Sequence, residues 1–157
     1  MLQDRLLNLV GCPMPDPVPA SLAGVRKELT AAGFEVFRVR GDLIILAERP
    51  RENLIMDSCV ALRLSDPLEI RVTFRVRKVD YPHWGEDQLF ERARQLAAAT
   101  ASEGFEEVDT AITVVPDPGH GERTIDTLFD VVCATRTPSV SAALEMIRRA
   151  MTFERHG

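Results

Sequence analysis

One segment near the middle of the chain alternates between apolar and polar side chains, and this alternation restricts the fold more than any other feature. Successive side chains of a β-strand point to opposite faces of a sheet, so the segment predicts a strand with one buried and one exposed face. The apolar positions are Ile70, Val72, Phe74 and Val76, and Arg71, Thr73, Arg75 and Arg77 alternate with them. A strand of this kind is typical of an antiparallel sheet that is covered on one side only.

Helix and turn signals around this strand predict the other elements. Ser21 is a suitable helix cap, and Gly33 and Gly104 are suitable helix ends. Gly41-Asp42 has the composition of a tight hairpin turn, and Thr137-Pro138-Ser139 predicts a last helix with proline in its first turn. We predict strands at residues 34–40, 43–48, 59–64, 68–79, 106–115 and 124–135, with loops at 49–57 and 116–123.

This element order predicts an α+β fold in one domain, residues 20–157. The order is helix, four strands, helix, two strands, helix, which gives a curved antiparallel sheet of about six strands with helices packed on one face. The chain has 157 residues, of which 45% are hydrophobic, enough for a single core. Residues 1–19 combine a short apolar stripe with four prolines after Gly11, and predict an N-terminal helix and a proline-rich connector.

The chain lacks the sequence features of a membrane or secreted protein. Its longest uninterrupted apolar run, Leu43 to Ala47, is too short to span a bilayer, and its first residues do not resemble a signal peptide. We therefore expect a cytoplasmic protein without a membrane partner. The three cysteines form no C-x-x-C pair, so we expect Cys59 and Cys133 to pack in the core and Cys12 to be an exposed thiol without a role.

Charge is distributed unevenly along the chain. The formal net charge is -5, but residues 36–78 are basic overall and residues 79–130 are strongly acidic. Two interpretations are open: the two rows of charge neutralise each other across neighbouring strands, or the arginine face binds an acidic protein segment or the acidic patch of a second copy. The acidic residues expected to face outward are Glu107, Asp109, Asp126 and Asp130, and Ile125, Phe129 and Val131 are expected to face inward. The arginines expected on the exposed face are Arg38, Arg40, Arg63, Arg71, Arg75 and Arg77.

Other ligands are less well supported by the sequence. The pI is about 5.2 and the chain has one Tyr and one Trp for base stacking, so we expect no nucleic-acid partner. The three histidines form no i, i+4 pair, and His156 is expected in a frayed tail, so we expect no metal and no cofactor. Trp84 is either a cap on a hydrophobic edge or an anchor for a partner protein.

No motif identifies a catalytic residue. The loop around His120 contains two glycines, but Asp, Pro and Gly at this position are equally typical of a hairpin turn. The alternative of a small hydrolytic or ligand-binding enzyme requires His83 and His120 to meet at one concave pocket.

Residues 20–152 resemble the small acidic type III secretion chaperones of bacteria. The resemblance lies in the order of helix, Gly33-Phe34, hairpin, further strands, alanine-rich helix, Gly104-Phe105, hairpin and terminal helix. The second half is also similar in layout to adaptor domains of the PsbP-like type. Both resemblances imply a binding module rather than a catalyst.

We therefore predict a non-catalytic protein-binding or chaperone-like adaptor that self-associates as a homodimer. Its partner is expected to be an acidic or unfolded protein segment, and a structural subunit of a larger assembly is a further alternative. The predicted partner-binding residues are Arg38, Arg40, Arg63, Arg71, Arg75, Arg77 and Trp84.

Overall fold

The computed structural model describes residues 21–157, so the predicted N-terminal helix and connector at residues 1–19, with Cys12, lie outside the described residues. The fold is α+β, as the element order predicts, and the sheet is antiparallel and curled. The helices are α1 (Leu22–Ala31), α2 (Glu86–Ala98) and α3 (Val140–Ala150). The strands are β1 (Val36–Arg40), β2 (Leu43–Arg51), β3 (Leu54–Arg63), β4 (Leu68–Arg77), β5 (Glu106–Asp117) and β6 (His120–Thr137).

The strands form one six-stranded sheet in the order β1-β2-β3-β4-β6-β5, with the helices on one face. The alternating segment is β4, a central strand, and its four apolar side chains are fully buried under α2 and α3. Leu89 of α2 and Ile147 of α3 pack in the same cluster. No helix within residues 21–157 is long and apolar enough to cross a membrane.

Serine caps begin two of the helices. The Ser21 hydroxyl accepts a hydrogen bond from the Gly24 N–H, and the Ser139 hydroxyl accepts one from the Ala142 N–H, each at 3.1 Å. Ser139 is therefore the cap residue of α3, because its hydroxyl satisfies the Ala142 N–H in the first turn. Pro138 precedes this cap, so the prediction that it lies in the first turn of the helix is wrong. Gly104 has a φ of 87°, which glycine adopts without strain, and it ends the turn after α2.

Two predicted loops are largely strand. Residues 49–57 form the ends of β2 and β3, and Pro50 is accommodated because β1 pairs with β2 only as far as Leu46. An ion pair of 2.7 Å between Arg49 and Glu35 holds this end of β2. The predicted loop at 116–123 contracts to a two-residue turn, since Asp117 pairs with His120.

A bulge in β3 opens a gap next to β4. Cys59 has a φ of 64°, and the pairing of β3 with β4 ends at Val60 opposite Val72. The end of the chain fills this gap: the Arg75 N–H donates to the Arg155 carbonyl at 2.8 Å, and the Gly157 N–H donates to the Arg75 carbonyl at 3.1 Å. The prediction of a frayed tail around His156 is therefore wrong, because β4 offers free backbone groups that the tail satisfies.

Candidate protein-binding face

Among residues 21–157, no helix packs on one face of the sheet, and we call this face the open face. Residues directly opposite each other on antiparallel strands share a face. The pairings Arg38 with Ile45, Arg40 with Leu43, Arg63 with Glu69, Arg71 with Ala61 and Arg75 with Asp130 place these side chains together. All six predicted arginines belong to this face, on the three strands β1, β3 and β4: Arg38, Arg40, Arg63, Arg71, Arg75 and Arg77.

The last two arginines of β4 are neutralised within the chain. Arg75 donates two hydrogen bonds of 2.8 Å to the two carboxylate oxygens of Asp130, and Arg77 donates one of 2.8 Å to Asp126. Hydrogen bonding to Asp130 raises the pKa of the Arg75 guanidinium. Asp126 and Asp130 are only 7% and 5% exposed, so the prediction that both carboxylates face outward into solvent is wrong in part. They lie on the expected face, but the longer arginine side chains cover them.

A second group of arginines surrounds one carboxylate. Glu69 accepts a 3.0 Å hydrogen bond from Arg71, and Arg63 and Arg136 approach it at 3.7 and 3.8 Å. Arg63 also contacts Asp42 at 3.2 Å. Three guanidinium groups share two carboxylates here, which leaves a surplus of positive charge.

Arg38 and Arg40 differ from the other four predicted arginines. Both are exposed, and neither forms an ion pair with any carboxylate of residues 21–157. The Arg38 guanidinium lies 5.4 Å from the centre of the Phe37 ring. Leu43 and Ile45 lie beside them on the same face and are partly exposed. We call this group of Arg38, Arg40, Leu43 and Ile45 the basic corner.

Two other predicted positions differ in the structure. Glu107 lies opposite Cys133 on the helix side and pairs with Arg94 of α2 at 2.9 Å, because a bulge between Glu107 and Asp109 changes the alternation of β5. Ile125 is 51% exposed, since β6 extends beyond the end of the helices, whereas Phe129 and Val131 are buried as predicted.

Trp84 lies away from the open face. Its ring stacks on Tyr81 with 4.1 Å between the ring centres and packs against the core on the helix side. Lys78 donates a hydrogen bond to its backbone carbonyl. With exposed residues of α2 it lines a shallow cavity of about 470 Å³. The structure therefore does not bring Trp84 together with the arginines.

The two histidines of the enzyme alternative do not meet. His83 lies in the segment between β4 and α2, whereas His120 lies at the turn between β5 and β6. His120 lines a depression formed by residues 120–123 of its own turn, and His83 does not contribute to it. Within the described part of the chain, no three His, Cys, Asp or Glu side chains are arranged to hold a metal ion.

Cys59 and Cys133 are buried, as predicted. Burial raises the pKa of each thiol to about 11, so both stay protonated and poorly nucleophilic at neutral pH.

One charged cluster carries no sequence signal. Arg155 is 7% exposed and donates to Glu48 at 2.5 Å and to three backbone carbonyls at the end of α3. Its Nε has no hydrogen-bond partner among the described residues. Burial is the main cause that lowers the pKa of the adjacent His156. These contacts join segments 107 residues apart, which a local pattern cannot reveal.

No protein-family model, no curated protein and no solved structure matches this chain significantly.

Proposed function

We propose that this domain is a non-catalytic, chaperone-like protein-binding module that holds an acidic, extended protein segment at the basic corner. The observation that supports it most directly is the pair of exposed arginines, Arg38 and Arg40, without ion-pair partners in residues 21–157. Planar guanidinium groups bind carboxylates with two parallel hydrogen bonds, which suits aspartate and glutamate side chains.

The apolar neighbours of these arginines define the rest of the ligand. Leu43 and Ile45 are partly exposed between the two arginines and the centre of the sheet. An acidic segment with apolar residues between its carboxylates would cover them, and burial of apolar area would add to the charge pairing. Arg63, which shares Glu69 with two other guanidinium groups, extends the positive potential toward β4.

Arg75 and Arg77 are poor positions for a test. Each covers a buried carboxylate, so replacement by glutamate would place two like charges in contact and destabilise the sheet. Arg38 and Arg40 can be changed without this effect.

We predict that the double variant Arg38→Glu/Arg40→Glu binds a fluorescent decapeptide of alternating aspartate and leucine about tenfold more weakly than the wild-type chain. Fluorescence anisotropy at low and high salt measures the affinity, and circular dichroism confirms that the fold is intact. Arg26→Glu/Lys27→Glu is the matched control, because it makes the same charge change on exposed positions of α1. If both variants weaken peptide binding equally, or if neither weakens it, the proposal is contradicted.

The homodimer stays a prediction, and sedimentation of the free chain measures it.

A further inference from the structure

Within residues 21–157, the outer edge of β5 is long and has no neighbouring strand. The strand has twelve residues, and ten of them are exposed. Nothing in residues 21–157 pairs with its outer side. Proteins usually keep edge strands short or place charges and bulges in them, since free backbone N–H and C=O groups attract another strand. The opposite edge, β1, follows this rule, with five residues, two arginines and a register shift.

The two sides of the β5 edge differ in chemistry. Ile112 and Val114 pair with Phe129 and Thr127, so they lie on the helix side, where they are 47% and 56% exposed. Ile125, in the neighbouring strand, is 51% exposed. A strand added beside β5 would find an apolar surface on this side.

The open side of the same edge is acidic. Glu106 and Asp109 pair with Ala134 and Val132, which belong to the open face, and both carboxylates are exposed. Neither forms an ion pair with the residues that the structure describes, and the Asp109 carboxylate accepts one hydrogen bond there, from the Thr110 N–H. A basic side chain opposite them would be favoured, and an acidic one would be repelled.

We propose that the outer edge of β5 binds an extended partner segment by strand addition, with apolar side chains on the helix side and lysine or arginine on the open side. Backbone hydrogen bonds would provide affinity, and the alternation of side chains would provide specificity. Because successive residues of a strand face opposite sides, the preferred ligand alternates basic and apolar residues. This site is separate from the basic corner and selects a ligand of opposite charge.

The test uses the full chain and three labelled decapeptides: alternating valine and lysine, alternating valine and glutamate, and the lysine peptide with two central valines replaced by proline. We expect the lysine peptide to bind at least about tenfold more tightly than either of the others, because glutamate meets Glu106 and Asp109, and proline cannot complete the ladder. Backbone pairing would also slow hydrogen exchange along β5.

Variants of the chain locate the site. We expect Ile112→Lys, which places a charge on the apolar side, to weaken the lysine peptide about tenfold, and Asp109→Lys to reduce its preference over the glutamate peptide. Ile55→Lys is the matched control, because Ile55 is 40% exposed on β3. If the Ile112→Lys and Ile55→Lys variants bind the lysine peptide with equal affinity, the proposal is overturned. A second outcome would also overturn the proposal: the wild-type chain binds no peptide but self-associates, and Ile112→Lys abolishes this self-association. The β5 edge would then bind a second copy of the chain.

Discussion

Two buried carboxylates on the solvent side of the sheet show how single residues determine this fold. Asp126 accepts hydrogen bonds from the Arg77 guanidinium and from the backbone N–H groups of Val79 and Thr127, at 2.8 to 3.2 Å. Burial alone would raise the pKa of this carboxyl, but the guanidinium and the two amides hold it below its usual value. Asp126 thus connects β6 to the end of β4 in its charged form.

We predict that Asp126→Asn lowers the free energy of unfolding by about 1 kcal/mol at pH 7, because the amide keeps the backbone contacts and loses the charge. A carboxyl whose folded pKa lies below its unfolded value stabilises the protein above the unfolded pKa, about 3.9. This contribution disappears as the pH falls through the folded pKa. Urea unfolding should therefore show a difference in the free energy of unfolding between wild type and variant, and this gap should narrow below pH 4. Asp109→Asn, at an exposed position, is the control, and a gap that is independent of pH would refute the prediction.

At the scale of the elements, the bulge in β3 and the end of the chain depend on each other. The left-handed conformation of Cys59 turns the first half of β3 away from β4. The segment at Arg155–Gly157 then supplies the backbone partners that Arg75 would otherwise lack. Glu48, on the diverging strand β2, holds Arg155 in place. Contacts of residues 155–157 therefore connect β4 and β2 at the place where β3 turns away from β4.

We predict that Arg155→Ala lowers the free energy of unfolding by about 3 kcal/mol, because it leaves Glu48 unpaired and removes three hydrogen bonds to the end of α3. The Arg75 amide, which donates to the Arg155 carbonyl, should also exchange its hydrogen faster. Urea unfolding and hydrogen exchange measure the two effects. Arg149→Ala, which breaks an exposed ion pair with Glu103, should change stability by about 1 kcal/mol or less. Comparable losses in the two variants would refute the role of Arg155.

Local patterns predict the elements but not their long-range neighbours. The alternation in β4, the Ser21 cap and the turn at Gly41 act over a few residues, and the structure confirms each of them. The alternation of side chains along each strand predicts which arginines share a face, because every second residue points to the same side of the sheet. Neutralisation across neighbouring strands, one of the two interpretations of the charge pattern, is correct for Arg75 and Arg77, because β6 pairs directly with β4. The sequence alone does not show which arginines are neutralised, since this depends on the order of the strands. The bulge at Cys59 and the burial of Arg155 have no local signal.

At the scale of the whole molecule, the sheet is electrically polar. Arg75 and Arg77 of β4 pair with Asp130 and Asp126 of β6, whereas Arg38 and Arg40 of β1 and the carboxylates of Glu106 and Asp109 on β5 form no ion pair within residues 21–157. Five strand spacings separate the two edge strands, about 24 Å along the sheet. This distance is about three times the Debye length at physiological ionic strength. The basic corner and the β5 edge should therefore act as independent surfaces.

We predict that substitutions at one surface leave binding at the other unchanged. Arg38→Glu/Arg40→Glu should weaken the acidic peptide about tenfold and change the affinity for the valine–lysine peptide by less than about twofold. Ile112→Lys should have the opposite effects. Anisotropy titrations of both variants with both peptides, each peptide measured alone, give the four affinities. If either variant weakens both peptides by a similar factor, the two surfaces are coupled or the variant is misfolded, and a thermal melt distinguishes these cases. A folded variant that loses both ligands would refute the independence of the two surfaces.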